Sequence, residues 1–173
     1  ISNGAFSQCG NLSTVEFPDN VSAIGNSAFS GCSSLTSVVV NGTKETTIGT
    51  EAFANCYGLQ SVALNGVKSI GDEAFDGCVS MVSLSLGEDL TDIGEQAFLD
   101  CYGLKKIDIP YGITRIENET FAGCRKLTTI TLPDSLTYIG PGAFGSCVKL
   151  SKINIPDSVE TIDECAFLDC TSF

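Results

Sequence analysis

The chain has 173 residues, of which 43% are hydrophobic and only 17% charged, a balance that excludes an intrinsically disordered polypeptide. Its 21 acidic residues against 9 Lys and Arg give a formal net charge of −12, which disfavours phosphate backbones and anionic membrane surfaces, so nucleic acid is not an expected partner. Apolar runs are too short to insert into a bilayer, and the lack of His removes the commonest general base and metal ligand, so neither an enzyme nor a cofactor is expected.

Taken in order, the chain repeats itself. Phenylalanine recurs at Phe6, Phe29, Phe53, Phe75, Phe98, Phe121, Phe144 and Phe167, at spacings of 22 to 24 residues. Five residues before each stands an isoleucine, from Ile1 and Ile24 through to Ile162, and three residues after each a cysteine, from Cys9 and Cys32 through to Cys170. Six residues after each comes a large apolar side chain: Leu12, Leu35, Leu59, Met81, Leu104, Leu127, Leu150 and Phe173. Eight units of about 23 residues therefore form a single domain over residues 1–173.

Within each unit the stretch following that apolar residue alternates as a half-buried strand does, at 35–41, 59–65, 104–110, 127–133 and 150–156. Pro18, Pro110, Pro133 and Pro156 close strands where a ladder N–H is no longer needed. A turn follows, then a second short extended piece such as 136–140, and the stretch 140–147 reads as a helical turn on the outer side. The segment 41–45 is one residue longer than its counterparts and lacks the apolar residue found at Val67, Leu90, Ile113, Leu136 and Val159; it reads as a bulging loop. No single unit can enclose its own apolar residues. Stacking of units buries them, with eight strands giving a parallel sheet ~35 Å long.

The form Ile-Gly-x-x-Ala-Phe-x-x-Cys-x-x-Leu, complete in residues 93–104, and the following Ile-x-Leu-Pro resemble the BspA-like subclass of leucine-rich repeats. The resemblance covers the whole chain. It implies a right-handed β/α-type superhelical solenoid with a parallel sheet on its concave side, mostly β and loop with short helical turns outside. It also implies a cell-surface or secreted protein that adheres to host or other cells. The Asn that ordinary leucine-rich repeats carry after the strand is absent, which leaves its polar-ladder role unassigned, and the Cys column does not replace it by position.

Three groups of residues are candidates for chemistry. Eight cysteines in one column read as small, buried apolar thiols, with disulfides between neighbouring rungs as the alternative, and a straight column without His cannot surround a metal ion tetrahedrally; Cys165, outside the column, is the one thiol expected to react. Acidic residues such as Asp72, Glu73, Asp76 and Glu95 read as a solvated face, with no calcium-loop spacing among them. The strand surface carries the best candidate for binding: Gln60, Ser83, Ser85, Lys105, Lys106, Asp108, Thr129, Thr131, Lys152 and Asn154, rich in hydroxyls and nearly uncharged in its first half. A protein or glycan ligand fits it, while a structural spacer holding another domain is the alternative. The chain starts inside one repeat and stops inside another without polar caps. The expectation is a portion of a longer protein, or ends that associate with a second copy.

Overall fold

The computed structural model describes residues 1–173. Ten short strands form: β1 (Ala23–Ile24), β2 (Ser37–Ile48), β3 (Ser61–Ile70), β4 (Ser83–Leu86), β5 (Asp92–Ile93), β6 (Lys106–Asp108), β7 (Arg115–Ile116), β8 (Thr129–Thr131), β9 (Tyr138–Ile139) and β10 (Thr161–Ile162). Every pairing is parallel, in a register that sets each residue over its repeat counterpart: Val38 over Val62 over Leu84, Ile107 beside Ile130, and Ile24, Ile48, Ile70 and Ile93 in file. The molecule is a β-solenoid with three walls. One wall holds the first part of β2 and β3 with β4, β6 and β8. The second holds β1, the ends of β2 and β3, and β5, β7, β9 and β10.

The third wall corrects an expectation, because it contains no helix. In all eight rungs the residues two before and two after the Phe have positive φ, for example Gln96 (57°) and Asp100 (56°), or Glu119 (51°) and Gly123 (72°). These left-handed residues turn alternate peptide planes along the solenoid axis. Gln96, Phe98 and Asp100 donate their N–H groups to Asn118, Thr120 and Ala122 of the next rung, all at 2.9 Å. The N–H groups of Leu99 and Cys101 instead close turns on Gln96 and Phe98. A helical turn would spend every donor inside its own rung and leave neighbours unjoined. The legible signal was the column two after Phe, which holds Gly31, Asn55, Gly77, Asp100, Gly123 and Asp169, the residue types that tolerate this conformation.

Inside the walls the repeat columns point inward as their spacing predicts. Phe29, Phe53, Phe75, Phe98, Phe121 and Phe144 are fully buried, their rings stacked within 10° of parallel at 5.2 to 5.7 Å. Phe17 closes the stack near its start, edge-on to Phe29 and Phe53. In the outermost rungs of this chain the same columns are less covered: Ile1, Phe6, Ile162 and Phe173 are exposed because each lacks a rung on one side. The segment 41–45 is not a loop. It lies within a continuous β2 whose bulges bring Thr46 opposite Val67. Thr46 fills the missing apolar place, fully buried, and its hydroxyl donates to the Val21 carbonyl at 2.6 Å while accepting from the Thr43 N–H at 3.0 Å.

A seam crosses both strand walls at one level. β4 does not pair with β6, nor β5 with β7, although the turn wall stays bonded across the same pair of rungs. Gly49, Gly71, Gly94 and Gly140 each donate an N–H to the isoleucine of the preceding rung, and a Cβ at any of them would lie within 3.0 Å of backbone atoms there. At the seam this position is Glu117, and its N–H lacks the bond to Ile93. Asp163 occupies the position in the last rung and keeps its bond to Ile139 at 2.9 Å.

Candidate functional site

Strand alternation places one side chain in two on the surface of the first wall, and burial of Val38, Val62, Ile107 and Ile130 fixes which. All ten residues singled out from the sequence are exposed. Ser83 sits beside Ser61 in the register, Lys106 beside Thr129, and Asp108 beside Thr131. Asp108 is the organised centre of this surface: Thr131 Oγ1 donates to its carboxylate at 2.7 Å, and Lys106 Nζ pairs with it at 2.8 Å. Those two hydrogen bonds, Lys106 first, hold its carboxyl below the usual carboxylate range. Upstream, Ser83 and Ser85 form the far side of the seam, where a shallow cleft runs between Leu84, Ser85 and Glu88 on one bank and Asp108, Ile109 and Pro110 on the other.

The ten residues do not make one compact patch. Gln60 belongs to the continuous ladder of β2, β3 and β4, above the seam, where its carbonyl accepts the N–H groups of Val82 and Ser83. Lys152 and Asn154 lie in an extended segment that is not paired into the ladder. Sequence reasoning passed over three exposed cations beside this surface, Arg125, Lys126 and Lys149, because they fall in the turn leading to the strand rather than in the strand itself. It also passed over Tyr111, 71% exposed at the corner after Pro110. Tyr102 lies under the Arg125 guanidinium at 4.6 Å, whereas Tyr57 is exposed and donates to Asn55 Oδ1 at 3.1 Å.

The cysteine column has a role beyond filling space. Each thiol from Cys32 to Cys170 donates to the Phe carbonyl of the preceding rung, as Cys56 does to Phe29 at 3.2 Å and Cys101 to Phe75 at 3.4 Å. That carbonyl is the one the turn-wall ladder leaves out, so the thiols form a polar ladder of their own on that wall, at a different place from the missing Asn. No two cysteines are bonded to each other. Burial pushes the column thiols up, to about 12 for Cys56 and Cys147, which keeps them protonated and unreactive at neutral pH. Cys165 is exposed as expected, and so is Cys9 in the first rung. On the turn wall, Glu51, Glu73 and Glu119 stand in one column, in which Ser27 donates to Glu51 and Gln96 to Glu119. Burial, with Asp100 and Glu73 nearby, raises the Asp76 carboxyl.

Parallel rungs, an inward Phe–Cys–Leu–Ile lining and an outward polar strand wall define a leucine-rich-repeat solenoid. The chain belongs to the BspA type leucine rich repeat region family, whose model matches in six copies over residues 1–66 and 46–173. Among solved structures it is similar to a leucine rich repeat protein of T. pallidum, at 25% identity and a TM-score of 0.61 over 80% of this chain and 75% of that one. It is also similar to a leucine-rich repeat protein from Eubacterium ventriosum, at 25% identity and a TM-score of 0.57; the match covers 79% of this chain but only 44% of the other. A search of curated proteins finds no match.

Proposed function

We propose that this chain is a binding module of a cell-surface or secreted protein, holding a protein or glycan of a host or neighbouring cell against its first strand wall in adhesion. The observation that carries this reading is the wall itself: a row of exposed Ser, Thr, Lys and Asp side chains held in register on a rigid stack, with Asp108, Lys106 and Thr131 bonded into one group. Membership of the BspA type leucine rich repeat family supports an interaction role. The wall is open and carries no enclosed constellation of acid, base and nucleophile, which favours binding over catalysis. It also lacks Trp, Tyr and Arg anchors along its strands, so strength would come from many weak contacts repeated along the axis.

The test is adhesion of the purified chain to epithelial and bacterial cell layers. Lys105→Glu with Lys106→Glu lowers adhesion while the melting temperature stays unchanged. Unaltered adhesion by that variant favours the spacer reading, in which the solenoid displays another domain and has no ligand of its own.

A further inference from the structure

The basic residues of this acidic chain are segregated. Of nine, three lie away from the others, and each of these is paired with a carboxylate: Lys44 with Asp89, Lys68 with Glu45, and Arg115 with Glu117. The remaining six, Lys105, Lys106, Arg125, Lys126, Lys149 and Lys152, occupy three consecutive rungs, those of Phe98, Phe121 and Phe144, whose rings stack at 5.4 and 5.7 Å. Within their rungs they stand four to eight residues after the Phe, at the corner where the turn wall passes into the first strand wall. All six are exposed. Only Lys106 has a carboxylate within ion-pair distance, and Arg125 lies over the Tyr102 ring with Asp100 nearby.

Such an arrangement is unfavourable in the free protein. Lys126 and Lys149 share a repeat column in adjacent rungs, so their charges are near neighbours with no counter-charge between them, and like charges so placed repel. Twenty-one carboxylates were available to the fold, and the three outlying cations took partners while five of the six at the corner did not. Nothing in the packing of the rungs requires this cluster, since the Phe, Cys and Leu columns beneath it are equally buried in the rungs of Phe29 and Phe53, which carry no such cluster.

We infer that this corner is a binding site for an anionic polysaccharide carrying sulfate or carboxylate groups. The inference rests on the binding reading given above and names the class of ligand. Five of the six cations are lysines, compact point charges rather than planar forks. Their neighbours on the wall are Thr128, Thr129 and Ser151, exposed hydroxyls of the kind that exchange hydrogen bonds with sugar hydroxyls. A folded protein partner would call for apolar or aromatic anchors in the middle of the patch, and the one aromatic ring there, Tyr102, is already covered by Arg125. Single-stranded nucleic acid would need bare aromatic platforms for its bases, and these are absent for the same reason. Charges repeated from rung to rung suit a polymer that itself repeats its anionic groups, gaining strength from several contacts at once.

The test is titration of the 173-residue chain with heparin, with hyaluronate, with neutral dextran and with poly-glutamate at 50 and 300 mM NaCl. Binding to heparin or hyaluronate, weakened at least tenfold by the added salt and at least tenfold by Lys126→Glu with Lys149→Glu, is the expected result. Heparin alone assigns sulfate, and hyaluronate binding as tightly assigns carboxylate. The melting temperature of the variant stays that of the parent, since both side chains are exposed. No binding to either polysaccharide, equal binding by the variant, or tighter binding of poly-glutamate overturns the inference. Adhesion lost through Lys105→Glu with Lys106→Glu, in a chain that binds neither polysaccharide, would retain the binding module and remove only this ligand. If that variant keeps full adhesion, the module reading itself is lost.

Discussion

The thiol of Cys101 donates to the carbonyl of Phe75, one rung back, at 3.4 Å, and the same carbonyl accepts the N–H of Cys78 at 3.2 Å. Cysteine is small enough for the interior and still carries a donor. Cys101→Ala keeps the first property and loses the second. It is expected to lower stability by about 1–2 kcal/mol, through the lost hydrogen bond and a small void. Equilibrium unfolding in urea measures this, and an unchanged midpoint would show the thiol to be filler only.

The thiols also set the behaviour in alkali. Burial holds them above the ordinary thiol value of 9.0, at about 12 for Cys56 and Cys147, so between those limits the unfolded chain releases protons that the folded chain keeps. Stability from this source is complete below pH 9 and falls as pH rises toward 12, by up to ~1.4 kcal/mol per pH unit for each such thiol. Urea midpoints at pH 8 and 10.5 should differ accordingly, and Cys147→Ala should decline less steeply than the parent. Parallel declines would assign the effect to other groups.

Phe98 is clasped between Phe75 and Phe121, with ring centroids 5.3 and 5.4 Å away. Phe98→Ala opens a cavity in the middle of the stack and is expected to cost about 3–5 kcal/mol. A loss below about 1 kcal/mol by calorimetry would contradict a continuous core.

Thr46 is the polar member of an apolar column. Thr46→Val preserves its shape but leaves the Val21 carbonyl and Thr43 N–H without their partner, so a loss of about 1–3 kcal/mol is expected. Equal or greater stability in thermal unfolding would mean that apolar filling alone decides this site.

The seam offers a gain-of-structure experiment. Glu117→Gly removes the side chain from the glycine column and lets the residue 117 N–H approach the Ile93 carbonyl. The expected outcome is slower amide exchange at residues 114 and 117, with little change in global stability, because an exposed Arg115 ion pair contributes only ~0–1 kcal/mol. Exchange as fast as in the parent would assign the seam to some cause other than Glu117.

Much of the molecule was legible in the sequence. Eight repeats, the inward columns and the outward strand residues follow from spacing alone, since a stacked rung has only one way to hide Phe, Cys, Leu and Ile together. The family resemblance was legible for the same reason. Other features were set by contacts between rungs, which a linear pattern does not display. Residues 140–147 became a left-handed turn wall rather than a helical turn because N–H groups had to reach the next rung, and only alternate inverted peptides allow that. Thr46 entered the core because a bulge in β2 shifted the register by the extra residue. The basic corner arose because residues 20 or more apart in the chain become near neighbours when rungs stack, so charges that look scattered along the sequence gather on one edge of the solenoid.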